Sequence, residues 1–192
     1  MTIQFNVPTL AKLLACICLS VVSGAAAAQQ GNPAGMTPSS QRPAPAPEPN
    51  TADRLFVQLA GQGGLAEVQM ARLANTKAGH SAVKDFAQRM ADDHSKANAR
   101  LEQTARQAGL PVPTQPAPDQ RAMHERLSAL SGPAFDQAYL RNQLVEHQKT
   151  VQLLQWHMGA GQVAPLQQLA AQTLPTVLEH LAHVRQLIEQ AP

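Results

Sequence analysis

Cysteine and aromatic residues are scarce in this sequence, and its net charge is small. The 192-residue chain has two cysteines, Cys16 and Cys18, and both lie near its start. The rest of the chain therefore offers neither disulfides nor thiolate ligands. Aromatic residues make up 3% of the chain, and its net charge is +2 at pH 7. Nucleic-acid binding uses basic surfaces and stacked aromatic rings, so this composition argues against a nucleic-acid partner.

The first 28 residues have the features of a secretory signal peptide. Lys12 is their only charged residue, an apolar run covers 13–22, and small residues at 26–28 offer a cleavage site. That run is too short to span a bilayer. Residues 13–16 also resemble a lipobox, but Lys12 lies too close to Cys16, so a lipoprotein is the less favoured alternative. We expect a periplasmic or secreted protein with no membrane insertion of its mature part.

The composition changes twice after this segment. Residues 29–50 contain six prolines and little apolar material, which is typical of a disordered Pro/Ala-rich tether. From Thr51 onward the chain is rich in Ala, Leu, Gln and Arg, which favour helices. Three segments are therefore predicted: a signal peptide (1–28), a tether (29–50) and a helical domain (51–190).

Apolar residues recur three and four positions apart through the domain, as on the buried face of a helix. Thr51 and Ser81 are the expected N-caps of the first two helices, Gly109 ends the second, and Pro133 begins the third long helix. The predicted fold is all-α, an up-down-up-down antiparallel four-helix bundle with a short extra helix before the third long helix. The predicted helices are 51–77, 81–108, 119–130 (short), 133–158 and 163–189.

One polar residue interrupts the apolar seam of each long helix. These residues lie three or four positions from apolar seam residues, so each is expected on the inward face. Each also lies close to the middle of its helix. Because antiparallel helices of similar length align their midpoints, the four side chains should meet at one level of the core. They are Glu67, His94, His147 and His180.

An acidic residue precedes each of these histidines: Asp93, Glu146 and Glu179. Neighbouring helical residues point about 100° apart, so an acid does not share the direction of its own histidine. It can instead lie at the seam edge and accept the second ring N–H of an imidazole from another helix. Carboxylates support metal-bound histidines in this way.

Two interpretations of the polar layer follow. In the first, Glu67, His94, His147 and His180 bind one Zn, Fe or Cu ion, since imidazole and carboxylate suit these metals. In the second, the same groups form a metal-free hydrogen-bonded network in a structural or protein-interaction module. His183 is a possible extra ligand, but it is better explained as a solvated partner of Glu179. Met70 and Met90 are better explained as core residues than as copper ligands.

The sequence lacks the complete motifs of two classes of enzyme, di-iron enzymes and enzymes with a catalytic nucleophile. Di-iron bundles place Glu three residues before a ligand His, but here Ala91, Leu144 and Val177 occupy those positions. No nucleophile motif is present either. A single-iron oxidase would need an open coordination position. Pro175 predicts either a break between two shorter helices or a kink that directs His180 inward.

Several motifs occur in order along the domain: 63–68 (GGLAEV), 83–90 (VKDFAQRM), 92–94 (DDH), Phe135 with Tyr139, His147, and 174–180 (LPTVLEH). Together they resemble the DUF4142 family, exported bacterial proteins with a ferritin-like helical domain. The resemblance covers about residues 51–187. It implies the ferritin-like architecture but no defined biochemical activity.

Overall fold

The computed structural model describes residues 47–190, which form five helices and no strand. The predicted signal peptide and most of the predicted tether lie outside this range. The helices are α1 (Thr51–Lys77), α2 (Ser81–Gln107), α3 (Pro118–Ser128), α4 (Gly132–Ala160) and α5 (Ala164–Gln190). The predicted antiparallel four-helix bundle with a short extra helix is confirmed.

The order in which the long helices pack differs from the up-down-up-down prediction. α1 packs on α2 and α4, and α5 packs on α2 and α4, so α2 and α4 are diagonal to each other. Ala78, after α1, pairs with Gly132 at the start of α4, and Asn50 Nδ2 donates to Ala160 O at the end of α4. α4 therefore runs parallel to α2, and the path is up-down-down-up. α3 belongs to the long crossover that makes this possible, as in ferritin-like folds.

Local capping interactions define where the helices begin. The N-cap of α1 is Asn50 rather than Thr51, because Asn50 Oδ1 accepts from Asp53 N at 2.9 Å and Asp53 Oδ2 accepts from Asn50 N at 3.0 Å. The N-cap of α2 is His80 rather than Ser81. α4 begins at Gly132, whose φ of 58° suits glycine.

α5 continues through Pro175, so the predicted alternative of two shorter helices is wrong. Proline lacks the N–H that would bond to Ala171 O, and packing against the rest of the bundle compensates for this loss. His180 lies five residues later on the same helix.

A buried hydrogen bond between a carboxylate and an imidazole joins the start of α1 to the end of α4. Asp53 is fully buried, and its Oδ1 accepts from His157 Nε2 at 2.9 Å. The backbone N–H groups of Gln162 and Val163 also donate to Asp53. Phe56 stacks on His157 with ring centroids 4.0 Å apart. These contacts fix the height of α1 relative to α4 and α5.

Two apolar cores fill the bundle, and a polar layer separates them. One core lies near the α1–α2 turn and includes Met70, Phe86, Tyr139 and Val184. The other lies near the opposite end and includes Phe56 and residues of α2, α4 and α5. Met70 and Met90 are buried core residues, as the sequence indicates. Between the cores lies the layer that contains Glu67, His94, His147 and His180.

Candidate metal centre

Three histidines from three helices meet in this layer. His94, His147 and His180 each offer a ring nitrogen, and these three atoms lie within 4.8 Å of one another. The ring centroids are 5.4 to 5.6 Å apart. His147 and His180 are 1% exposed and His94 is 9% exposed. Three of the four side chains that the sequence places at one level thus bring their ring nitrogens together in the interior.

Hydrogen bonds set the tautomers of two of the rings. His147 Nδ1 donates to the carbonyl oxygen of Gln143 at 2.9 Å, so its Nε2 carries a lone pair. His180 Nε2 donates to Asp93 Oδ2 at 3.0 Å, so its Nδ1 carries a lone pair. Each contact fixes a ring and leaves its other nitrogen free to act as a ligand.

The free ring nitrogens are buried without hydrogen-bond partners among residues 47–190. They are His94 Nε2, His147 Nε2 and His180 Nδ1. Leaving a buried polar atom unpaired costs about 1–3 kcal/mol, and native proteins rarely do so. Three such atoms from neighbouring rings match the donor set of a transition-metal ion, because imidazole nitrogens bind zinc, copper and iron. The residues present therefore fit a metal.

Burial keeps two of the imidazoles neutral. Desolvation lowers the pKa of His94 to about 4, against the opposing attraction of the Glu67 carboxylate. Desolvation likewise lowers the pKa of His180 to about 4, although its hydrogen bond to Asp93 acts in the opposite direction. Both rings are unprotonated at neutral pH, which is the state that binds a metal.

Glu67 lies in the same layer and is 6% exposed, but its carboxylate is not part of the three-nitrogen group. Its Oε2 accepts from Gln143 Nε2 at 2.6 Å. Gln143 thus connects the carboxylate to His147, whose ring donates to the Gln143 carbonyl. The arrangement is three imidazoles with an adjacent, hydrogen-bonded glutamate, rather than four converging ligand atoms.

Of the three acids predicted to support the imidazoles, only Asp93 does so. Glu146 Oε1 accepts from Lys149 Nζ at 2.7 Å, and Glu179 Oε2 accepts from Arg89 Nη2 at 2.7 Å. Within residues 47–190 neither carboxylate accepts from a histidine ring, because each pairs with a cation instead. His183, the possible extra ligand, packs edge-on against Phe86 and lies outside the three-histidine group.

Sequence reasoning missed Gln143, a fully buried residue that links Glu67 to His147. Its position one helical turn before His147 was the available signal. Because many other glutamines lie on exposed helix faces, that spacing alone did not distinguish Gln143 from them.

Gly64 allows α1 to approach α2 closely, because a Cβ there would lie 1.9 Å from Asn98 Oδ1 of α2. Glycine permits the close approach of α1 and α2 beside the site.

A cavity of about 140 Å³ reaches this layer. Its wall includes Glu67, His94 and His180 on the side of the histidine layer, and Thr176 and Lys96 among its other residues. His147 is not part of the wall. The histidine layer is thus in contact with a space large enough for several water molecules, since one water occupies about 30 Å³ in the liquid.

Solved structures share this fold at low sequence identity. A DUF305 fragment from Deinococcus radiodurans is 17% identical, with a TM-score of 0.66, and the match covers 75% of this chain and 99% of that one. A DUF305 protein from Streptomyces coelicolor is also 17% identical, with a TM-score of 0.63 and coverage of 73% and 92%. CopM in its Cu(I)-bound form is 16% identical, with a TM-score of 0.60 and coverage of 72% and 96%.

These similarities concern the fold alone. A comparison with curated proteins finds no match. Within residues 47–190, no helix is long and apolar enough to cross a membrane.

The family pattern described as a domain of unknown function, DUF4142, matches residues 38–187, which is most of the chain. The chain belongs to the DUF4142 family.

Proposed function

We propose that this protein binds one transition-metal ion through His94, His147 and His180 and serves in metal handling or stress protection in the cell envelope. The observation that carries the proposal is the convergence of three buried, unpartnered imidazole nitrogens within 4.8 Å of one another. His157 Nδ1 is also buried without a partner among residues 47–190, but it lies outside this group. Zinc, iron and copper all suit such a donor set.

The shared fold of CopM and the signal-like features of residues 1–28 also support a metal-binding role in the cell envelope. CopM has a Cu(I)-bound form and shares this fold, so copper is the first metal to test. The signal-like features of residues 1–28 favour a site outside the cytoplasm. The Streptomyces coelicolor neighbour is provisionally named a secreted protein.

A metal-free polar layer in a structural or interaction module is the second candidate. The hydrogen bonds from Gln143 to Glu67 and from His180 to Asp93 favour it, because they satisfy part of the layer without a metal. It leaves the three ring nitrogens unsatisfied by the protein. It predicts that chelators do not change the melting temperature and that an apolar replacement of the layer preserves stability.

Elemental analysis distinguishes the two candidates. The protein is loaded separately with Cu⁺, Zn²⁺ and anaerobic Fe²⁺, desalted and analysed. We expect one ion per chain for at least one metal, and none in the His147→Ala/His180→Ala variant. His183→Ala is the matched control, because His183 lies one turn after His180 outside the cluster. Circular dichroism establishes that each variant is folded. Retention of metal by the double variant, or no metal in the wild-type protein, would contradict the proposal.

A further inference from the structure

A cavity adjoins the histidine layer, while the three ring nitrogens that would hold the metal are themselves buried. Three protein nitrogens leave one position of a tetrahedral ion without a ligand from the chain, as in catalytic rather than structural zinc sites. The carboxylate of Glu67 is held by Gln143 Nε2 at 2.6 Å and lies outside the three-nitrogen group. The remaining position is therefore available to a molecule that enters from the cavity.

The cavity has the size and position for such a molecule. Its volume of about 140 Å³ exceeds that of a single water several-fold. Two of the three imidazoles, His94 and His180, contribute to its wall. The unpartnered nitrogens of these residues belong to the group that would hold the ion.

The charges around the cavity indicate which class of molecule would bind there. The cavity wall carries three carboxylates (Glu67, Asp93 and Glu146) and two cations (Lys96 and Arg100). Outside the wall, Lys149 pairs with Glu146, and Arg89 pairs with both Asp93 and Glu179. These four acids and four cations sum to no net charge. A bound metal ion, whether Cu⁺ or divalent, makes the local sum positive, because imidazoles bind metals in their neutral form. A small anion would restore neutrality, and in a site of low dielectric constant this attraction is stronger than in water.

We infer that the cavity is a binding site for a small exogenous anion, which coordinates the metal held by His94, His147 and His180. The anion donates a lone pair to the open position, and no bond within it breaks. This inference rests on the proposed function, since without the metal the surroundings carry no net charge that would attract an anion. It makes the centre an accessible one rather than a sealed structural site.

Cobalt and azide provide the test. Co²⁺ is loaded in place of the native metal, because its visible absorption reports its ligands, and sodium azide is then titrated. We expect a saturable change in the cobalt spectrum. Thr176→Phe fills the cavity one turn before His180, so it should retain Co²⁺ and lose the azide response. Leu178→Phe is the matched control, because Leu178 is 45% exposed and does not line the cavity.

Each outcome decides the question. Cobalt binding without any azide response in the wild-type protein overturns this inference and leaves the proposed metal site intact. An azide response that persists in Thr176→Phe overturns it as well, because the anion would then arrive by another route. No cobalt binding at all overturns the metal site and the anion site together. Ala97→Leu, which fills the cavity from α2, replaces Thr176→Phe if that variant does not fold.

Discussion

His180 Nε2 donates a hydrogen bond to Asp93 Oδ2 at 3.0 Å, and this contact joins α5 to α2 at the polar layer. The carboxylate fixes the tautomer in which the unpartnered Nδ1 of His180 carries the lone pair. Asp93 also accepts from Arg89 Nε at 3.4 Å. A partly exposed acid therefore orients a fully buried ligand candidate.

Replacing Asp93 should weaken metal binding without removing a ligand. In Asp93→Asn the negative charge that orients His180 is lost, and we expect the metal affinity to fall about 10–100-fold, as for other carboxylates behind metal-bound histidines. The measurement is a competition titration against a chelator of known affinity. Asp92→Asn is the control, because Asp92 is exposed and accepts from Gln88 Nε2 within α2. Equal affinities for the two variants would show that Asp93 does not position the centre.

The lowered pKa values determine how metal binding depends on pH. A proton competes with the metal only below the pKa of the ligand, and burial lowers the pKa of both His94 and His180 from 6.5 to about 4. Protons should therefore not compete with the metal for His94 and His180 between about pH 7.5 and about 5.5, and should begin to compete as the pH approaches 4. Titrations of the metal affinity at stepped pH values measure this directly. An affinity that falls by more than about tenfold per pH unit between pH 6.5 and 5.5 would show that more than one histidine binds protons there, which would contradict the lowered pKa values.

Two adjacent glycines should respond in opposite ways to alanine. In Gly63→Ala the new Cβ lies 3.8 Å from Gln120 Nε2, an ordinary contact, so the helix should gain about 0.5–1 kcal/mol of stability. In Gly64→Ala the Cβ would lie 1.9 Å from Asn98 Oδ1, and Asn98 must move. We expect Gly64→Ala to be less stable than Gly63→Ala by about 1–2 kcal/mol.

Urea unfolding of the metal-free variants measures these free energies. Gly64→Ala/Asn98→Ala should recover part of the loss, because the second substitution removes the atoms that the new methyl group would meet. Equal stabilisation by both single substitutions would mean that α1 and α2 do not depend on glycine for their approach.

The helices and the level of the histidines follow from local patterns. Spacings of three and four place His94, His147 and His180 on inward faces, and their central positions bring them to one height, so both features are readable from the sequence. The direction of α4 is not, because it depends on the path of the α3 crossover. An up-down-up-down path and the observed path give the same apolar stripes.

Individual side-chain partners were harder to predict. Glu146 and Glu179 precede their histidines just as Asp93 does, yet they pair with nearby cations rather than with imidazoles. Asp53 has the position of an ordinary first-turn acid, but it is fully buried against His157, 104 residues away. Such pairings depend on how the helices are rotated and offset against each other, which local periodicity does not specify.

X-ray absorption spectroscopy of the zinc-loaded protein tests the metal centre most directly. The centre described here predicts three imidazole nitrogens about 2.0–2.1 Å from zinc, with the outer-shell scattering of the rings. The His94→Ala variant should lose one of them. A first shell of oxygen atoms alone, without imidazole scattering, would contradict a metal site formed by His94, His147 and His180.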